Sequence, residues 1–341
     1  MNEKKITSTN LLIIFFLSYS FYVIQILTQE LFKLYSKQSI LIICIIQLLF
    51  PILIFGICKL INSNKLKQND KNAFVFNIIS SIYLLITTVI SIINITNIII
   101  LYYYQQTNYI ILLILISLPL IYTIIKGEDN FFSLASILLI IYTIFKYAYL
   151  NNSSTIDYYV FYNITSIDKG NILSIIIYSL PILLEPLLLI NNQKDISTKI
   201  NIKLIVGFSI FISLISVLTI LRQTWEYGDL LGMIRFPYLE SIKNIIAGRF
   251  FENIDFYYLL SIAVSVYIRL GYTLITIKKS LNLNKTVTLS LLGLLAVLIY
   301  IVQKSMDLYL FSINKVLIIS SSCLLLCLVT LPFMIRRKKN A

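Results

Sequence analysis

The sequence predicts an all-α, polytopic membrane protein, and three observations support this fold class. The chain of 341 residues is 58% hydrophobic and only 13% charged, with a mean hydropathy of +0.88, whereas soluble domains carry about 25% charged residues. Apolar runs of about 20 residues recur along the chain, and each is long enough to cross the hydrocarbon core as a helix. The runs are continuous and do not alternate with polar residues, which favours helices over a barrel.

The apolar runs predict about ten transmembrane spans within a single membrane domain, residues 1–341, whose approximate halves are 9–150 and 172–335. The predicted spans cover residues 9–28, 39–61, 73–101, 109–125, 131–150, 172–190, 200–221, 256–277, 286–302 and 314–335. An odd number of spans per half gives the two halves opposite orientations, as in a 5+5 inverted-repeat transporter core. In such a core the first span of each half, here spans one and six, is interrupted near the membrane centre. This inference rests on topology, because the sequence shows no strong internal repeat.

Basic residues orient the spans, because lysine and arginine concentrate in short cytoplasmic loops. If the N-terminus is cytoplasmic, the inner segments and their flanks hold most of these residues: Lys4, Lys5, Lys59, Lys65, Lys67, Lys71, Lys126, Lys194, Lys199, Lys203, Lys278, Lys279, Lys285 and Arg336–Lys339. The outer segments hold fewer: Lys33, Lys37, Lys146, Lys169, Lys304 and Lys315. We therefore predict that both termini are cytoplasmic, and the same loops explain the net charge of +13 without nucleic-acid binding.

The composition also disfavours several kinds of chemistry. The chain contains no histidine, which removes the commonest general base and argues against most membrane metalloproteases. Cys323 and Cys327 share a helix face and can in principle bind a soft metal, but cysteines in apolar spans usually pack as small hydrophobic residues. We expect no metal site, no cofactor and no enzymatic activity, since a membrane-embedded enzyme would show catalytic polar clusters in its loops.

Span six contains the strongest candidate for a functional side chain. Pro181 and Pro186 lack an amide hydrogen and free the carbonyl groups of Ile177 and Ile182. Between the prolines, Glu185 lies about 5 Å from the span centre. A carboxyl group at that depth is costly and indicates function. The alternatives are that Glu185 is protonated or that it lies nearer the interface. Pro181 and Glu185 are therefore predicted to belong to a substrate-binding site.

Arg269, near the middle of span eight, is the other candidate for a buried charge. Spans six and eight can line one cavity in an inverted-repeat core, so we expect Arg269 to pair with Glu185. Ser18, Tyr19 and Ser20 form a polar group in the middle of span one and can line the same cavity. Ordinary helix packing is an equal alternative for these three residues, since span one contains no glycine to loosen its helix.

Residues 238–251, between spans seven and eight, have apolar side chains at helical spacing. Ile242, Ile245, Ile246 and Phe250 would form one face of a helix lying on the outer surface of the membrane. Such a helix can cap a cavity or dock a partner protein, and the sequence leaves both interpretations open.

The stretch from Pro237 to Asp255 resembles the GerAB-type spore germination proteins, the endospore germination permease branch of the amino acid/polyamine/organocation transporters. The residues that match are Pro237, Lys243, Gly248, Phe250, Phe251, Glu252 and Asp255, and Glu185 matches more weakly. The resemblance implies a B-type subunit of a nutrient germinant receptor in the inner spore membrane. Such a subunit senses small nutrients such as amino acids, together with an A-type membrane subunit and a C-type lipoprotein.

The sequence departs from this family pattern at three places. Asn253 replaces the arginine that follows the glutamate, Leu183 replaces the glycine of span six, and span one lacks the family's glycine. Each lost glycine predicts less backbone freedom where a ligand would be held. The alternative functions are a secondary amino acid or cation transporter and a purely structural membrane protein.

Overall fold

A computed structural model of the chain describes most of the predicted spans. The described residues are 7–35, 38–63, 66, 71–102, 169–195, 199–234, 237, 240, 254–281, 283–304 and 306–335, with single positions between 111 and 137. The regular elements within these ranges are all helices, apart from an isolated bridge that pairs Leu66 with Ile335. The predicted all-α class is confirmed.

The helices follow the apolar runs closely and extend a few residues beyond them. In chain order they are α1 (Ser8–Tyr19), a π-helical segment (Ser20–Leu27), α2 (Thr28–Tyr35), α3 (Gln38–Asn62), α4 (Lys71–Tyr102), α5 (Lys169–Leu184), a 3-10 segment (Glu185–Asp195), α6 (Ile202–Tyr227), a short 3-10 turn (Gly228–Gly232), α7 (Ile254–Ser280), α8 (Lys285–Lys304) and α9 (Met306–Met334). We call α1, the π-helical segment and α2 the first span, and α5 with its 3-10 segment the sixth span.

Several of these helices are long and apolar enough to cross a membrane. Within the described part of the chain, four helices meet both conditions: Gln38–Asn62, Lys71–Ile100, Asn171–Gln193 and Ile202–Tyr227. Three shorter helices are also apolar: Ser8–Tyr19, Thr286–Val297 and Ile318–Met334. Predicted spans four and five and the surface helix at 238–251 lie almost entirely outside the described residues. The total of ten spans therefore stays a prediction.

Local signals set the ends of α6. The Asn201 side chain accepts a hydrogen bond from the Leu204 amide at 3.4 Å, which satisfies one of the free amides of the first turn. At the other end, Gly228 adopts φ 51° and its amide bonds back to the Thr224 carbonyl. That positive φ suits glycine, because a side chain would collide with the backbone.

The helices pack so that polar faces meet inside the bundle and apolar faces point outward. The first span, α4, the sixth span and α7 contact one another, while α3 and α6 pair along the outside. Large apolar side chains on α3 and α6 are exposed, for example Ile52 and Phe211. Serine and threonine side chains along α4, including Thr87, Thr88 and Ser91, are buried. This arrangement is typical of helices that face lipid on one side and each other on the other.

The ends predicted to be cytoplasmic lie together at one end of the bundle. The Asn62 side chain, at the end of α3, exchanges hydrogen bonds of 2.9 Å with the backbone of Ile200, just before α6. Asn77, near the start of α4, donates to the Ser280 carbonyl at the end of α7, at 3.3 Å. The Leu66–Ile335 bridge joins the segment after α3 to the end of α9. These contacts support the predicted grouping of loops, while the side of the membrane they face stays a prediction.

Candidate functional site

The first span changes its helix type in the middle of the predicted polar group. The α-helix ends at Tyr19 and a π-helical segment begins at Ser20. The Ser18 carbonyl accepts a hydrogen bond of 3.2 Å from Arg269, and the Ser20 hydroxyl bonds back to the Leu17 carbonyl at 3.1 Å. Side chains thus compete with the regular backbone ladder, as they commonly do at π-bulges in functional sites.

This change of helix type agrees with the interruption that the inverted-repeat topology predicts for the first span. Ordinary helix packing was the alternative, since the span contains no glycine. Polar side chains supply the irregularity in place of glycine, because they offer the backbone other hydrogen-bond partners.

The sixth span also changes its helix type, at Glu185. The α-helix ends at Leu184, and Pro186 stands at the second residue of the 3-10 segment. Because Pro186 has no amide hydrogen, the Ile182 carbonyl loses its regular partner. The Tyr19 hydroxyl donates to that carbonyl at 2.9 Å. The predicted free carbonyl is therefore present, and it joins the sixth span to the first.

A buried ion pair between Arg269 and Glu185 lies where these two spans meet. Arg269 Nη1 donates to Glu185 Oε1, and the two side chains are 0% and 1% exposed. The other carboxylate oxygen accepts from the Tyr83 hydroxyl, on α4, at 3.2 Å. The pairing predicted from the sequence is thus present. Removing one partner of such a pair leaves an uncompensated buried charge, which typically costs about 3–5 kcal/mol.

Arg269 also contacts two further elements. Its Nη1 lies 3.2 Å from both the carbonyl and the hydroxyl oxygen of Ser18, and its Nη2 donates to Thr87 Oγ1 on α4. The guanidinium carbon lies 4.6 Å from the ring centroid of Tyr22, in the π-helical segment, a distance typical of cation–π contacts. One side chain of α7 therefore connects the first span, α4 and the sixth span.

Tyr19 links this centre to α3. Its ring stacks on Phe50 with centroids 4.3 Å apart, and its hydroxyl also lies 3.4 Å from Gln47 Oε1. Within the described part of the chain, the buried Gln47 Nε2 and Arg269 Nε have no hydrogen-bond partner. Unpartnered buried donors are uncommon in folded proteins and call for an explanation.

A second group of polar contacts continues from the ion pair along α7. The Asn192 amide donates at 3.4 Å to both Tyr272 Oη and Thr276 Oγ1. The Tyr272 hydroxyl in turn lies 3.5 Å from the Leu188 carbonyl. These bonds hold the 3-10 segment against α7, on the side of the ion pair that leads to the predicted cytoplasmic end.

The structure brings together four of the six predicted site residues. Ser18, Tyr19, Glu185 and Arg269 form the connected group described above. Ser20 bonds within its own helix, and Pro181 is buried inside α5.

The residues of the predicted family motif give less structural information. Pro237 occupies a buried helical position. Asp255 lies in the first turn of α7, and its side chain is outside the described residues. Gly248 and Glu252 lie outside the described residues altogether. Their predicted role is therefore not tested by the structure.

Sequence reasoning missed four residues of the site: Tyr22, Gln47, Tyr83 and Thr87. A signal was present on α4, because Tyr83 and Thr87 stand four residues apart and so share one helix face. Elsewhere in the described ranges, no group of three or more histidine, cysteine, aspartate or glutamate side chains is arranged to hold a metal ion.

Comparison with known proteins supports the fold and leaves the family open. No protein-family model and no curated protein match this sequence. Crystal structures of the Eremococcus coleocola manganese transporter do match, each over 96% of this chain and 76% of the transporter chain. A glutamate-to-alanine mutant superposes with a TM-score of 0.53 at 12% identity. A histidine-to-alanine mutant gives 0.52 at 11%, and a glutamate-to-glutamine mutant gives 0.51 at 12%. The chain therefore has the fold of a polytopic membrane transporter.

Proposed function

We propose that the protein is a nutrient sensor with a transporter fold, and that its ligand site is centred on Arg269 and Glu185. One observation supports this proposal above the others. A single buried ion pair connects α4 and α7 to the first and sixth spans, at the points where both spans leave α-helical geometry. Buried charges and irregular backbone are both costly inside a membrane and are usually kept for function.

The chemistry of the centre favours a small ligand with a carboxylate, such as an amino acid. A carboxylate can replace Glu185 on the Arg269 guanidinium, which presents several donors in one plane. Arg269 Nε and Gln47 Nε2, which lack partners among the described groups, are further donors for such a ligand. A fixed guanidinium repels a divalent cation. The metal named for the structural neighbours is therefore not proposed as the ligand of this chain.

Burial of the centre supports a role in signalling. Arg269 and Glu185 are almost completely buried, so a ligand can reach them only when the surrounding helices separate. Binding then favours a conformation different from the closed one described here, and ligand concentration sets the populations of the two states. This change of shape is the signal that a receptor subunit can transmit.

The finer assignment is to a B-type subunit of a germinant receptor. It rests on the resemblance of the stretch from Pro237 to Asp255 to the GerAB-type spore germination proteins. In this proposal the protein lies in the inner membrane of the spore with both termini cytoplasmic. Its partners are an A-type membrane subunit and a C-type lipoprotein. Genes for these two partners are expected next to the gene for this chain.

Secondary transport is the second candidate function. The solved structures that resemble this chain are transporters, which favours this alternative on the grounds of fold alone. Uptake of a labelled amino acid into vesicles that contain only this chain would support transport. A sensor subunit gives no uptake under the same conditions.

A germination assay tests the proposal directly. A strain lacking the gene is complemented with the wild-type chain, with Glu185→Gln or with Leu214→Ala, and germination is followed for single nutrients. We expect the wild type and the lipid-facing control Leu214→Ala to restore one nutrient response, and Glu185→Gln to change the nutrient concentration required. Full restoration by Glu185→Gln at unchanged nutrient concentration would contradict a role for the ion pair in sensing.

A further inference from the structure

A groove on the outside of the bundle lies between α3, α9 and the 3-10 segment of the sixth span. Its volume is about 460 Å³, and its walls include Gly56, Ile57, Leu187, Leu328 and Leu331. A Cβ atom added at Gly56 would meet no atom within 4 Å, so the groove is open at this position. Apart from its rim, the lining is apolar.

The rim of this groove is polar and basic. Lys59 and Ser63 line it at the end of α3, and the Lys59 ammonium lies 5.9 Å from the ring centroid of Phe55. Lys59 is exposed, and no carboxylate among the described residues forms an ion pair with it. The groove therefore combines an apolar interior with a lysine at its rim whose ammonium forms no ion pair among the described residues.

More basic residues follow closely in the sequence at this end of the bundle. The bridge between Leu66 and Ile335 brings the segment after α3 beside the end of α9. In the sequence, Lys65 and Lys67 flank Leu66, and the cluster Arg336–Lys339 follows Ile335. Basic residues that neighbour the bridge in the sequence favour anionic headgroups at this end of the bundle.

A second groove on the other side of α3 provides a comparison within the same protein. It lies between α3 and α6, has a volume of about 370 Å³, and is lined by Pro51, Phe55, Ile210 and Leu214 among others. Among the described residues, no lysine or arginine lines it. Acyl chains can fill both grooves, but of the two linings only that of the first includes a lysine, Lys59.

We propose that the groove beside Lys59 is a binding site for an anionic phospholipid, with the acyl chains between α3 and α9 and the phosphate near Lys59. The occupant follows from the surroundings, because an apolar groove on the outside of a membrane protein faces acyl chains. The selection of an anionic lipid follows from the basic rim.

This site contacts the 3-10 segment that follows the ion pair of the proposed sensor. Leu187, in the wall of the groove, is the second residue after Glu185 and belongs to the 3-10 segment. A lipid in the groove therefore touches the segment that begins at the ion pair. Lipid binding itself does not depend on the proposed sensing function and can be measured without any nutrient.

Native mass spectrometry of the purified full-length chain tests the proposal. The protein is released from detergent micelles that contain equal amounts of phosphatidylglycerol and phosphatidylcholine. We expect the wild type to retain one phosphatidylglycerol in preference to phosphatidylcholine. Lys59→Gln should lower this preference about fivefold, as expected for the loss of one basic residue. Gly56→Trp should abolish retention, because the indole fills the groove.

Controls separate this site from general lipid adhesion. Ile210→Trp fills the second groove and should retain phosphatidylglycerol like the wild type. Glycerol phosphate, added as the free headgroup, should not displace the lipid if the acyl chains contribute to binding. Equal retention of both lipids by the wild type, or wild-type retention by Gly56→Trp, would overturn the proposal. Loss of retention in Ile210→Trp equal to that in Gly56→Trp would overturn it as well.

Discussion

The two interrupted spans and the outer pair of helices, α3 and α6, are all rich in apolar residues but differ in helix geometry and in what they bury. The first and sixth spans change helix type near their centres and bury polar groups, while α3 and α6 remain α-helical and expose large apolar side chains to lipid. The interrupted spans meet the Arg269–Glu185 pair. Of the outer pair, α3 contributes Gln47 and Phe50 to the edge of that centre.

Proline alone does not explain the difference. Pro51 lies inside α3, which stays α-helical over its whole length, whereas the change in the sixth span begins beside Pro186. The carbonyl freed by Pro186 accepts a hydrogen bond from the Tyr19 hydroxyl. The neighbouring Glu185 forms an ion pair with Arg269. A span is interrupted where tertiary polar partners replace the lost backbone bonds, which fits the general behaviour of helices in membranes.

The largest effect is expected from breaking the ion pair on one side. Arg269→Met leaves Glu185 buried without its partner and should lower the free energy of unfolding by about 3–5 kcal/mol. The double variant Arg269→Met with Glu185→Leu should recover much of this loss, because two apolar residues can pack where the pair was. Denaturant titration in mixed micelles measures both. A double variant as unstable as the sum of the two single variants would contradict a coupled pair.

The two prolines distinguish the interrupted span from the continuous one. Pro186→Ala restores an amide that competes with Tyr19 for the Ile182 carbonyl, so the nutrient concentration for half-maximal germination should shift about tenfold, or about 1.4 kcal/mol. Pro51→Ala should leave that concentration unchanged, because α3 is already continuous. A dose–response series on complemented spores measures the shift. Equal shifts for both variants would show that the two spans do not differ in this respect.

A smaller effect is expected from the contact that joins the two interrupted spans. Tyr19→Phe removes the hydroxyl that bonds to the Ile182 carbonyl and should lower the free energy of unfolding by about 1–2 kcal/mol. Phe50→Leu serves as the matched control, because it weakens the ring stacking while the hydroxyl bond remains. Mixed-micelle unfolding measures both variants. An unchanged nutrient response in Tyr19→Phe, together with a changed response in Phe50→Leu, would assign the role of Tyr19 to packing alone.

The smallest effect is expected on the lipid-facing helices. Leu214→Ala, on the exposed face of α6, should change the free energy of unfolding by no more than about 0.5 kcal/mol, because lipid replaces the lost contacts. The same titration provides the measurement. A loss of more than 2 kcal/mol would indicate that this face packs against protein.

The sequence predicted the parts of the fold that depend on local rules. Hydropathy located the spans that the structure describes, proline chemistry predicted the free carbonyl at Ile182, and the cost of buried charge identified Glu185 and Arg269. The partners Tyr83 and Thr87 were missed as site residues. Many polar residues line α4, and the rotation of one packed helix against another is a tertiary property that no local pattern specifies.

The π-helical segment shows the same limit. The segment contains no glycine or proline that would predict it. We attribute it to the hydrogen bonds that Arg269 donates to Ser18, which is distant in the sequence. Tertiary contacts of this kind cannot be derived from the residues around Ser18 and Tyr19. The interrupted first span was therefore predicted from topology, while its particular chemistry was not.

The most direct test of the proposed centre is a double-mutant cycle on nutrient response, with Arg269→Ala, Glu185→Ala and the double variant. Surface abundance of each variant is measured in the same spores, so that loss of protein is distinguished from loss of response. If the two residues act as one unit, either single variant impairs the response about as much as the double variant. Fully additive effects of the two single variants would contradict the central claim that Arg269 and Glu185 form the functional centre of this protein.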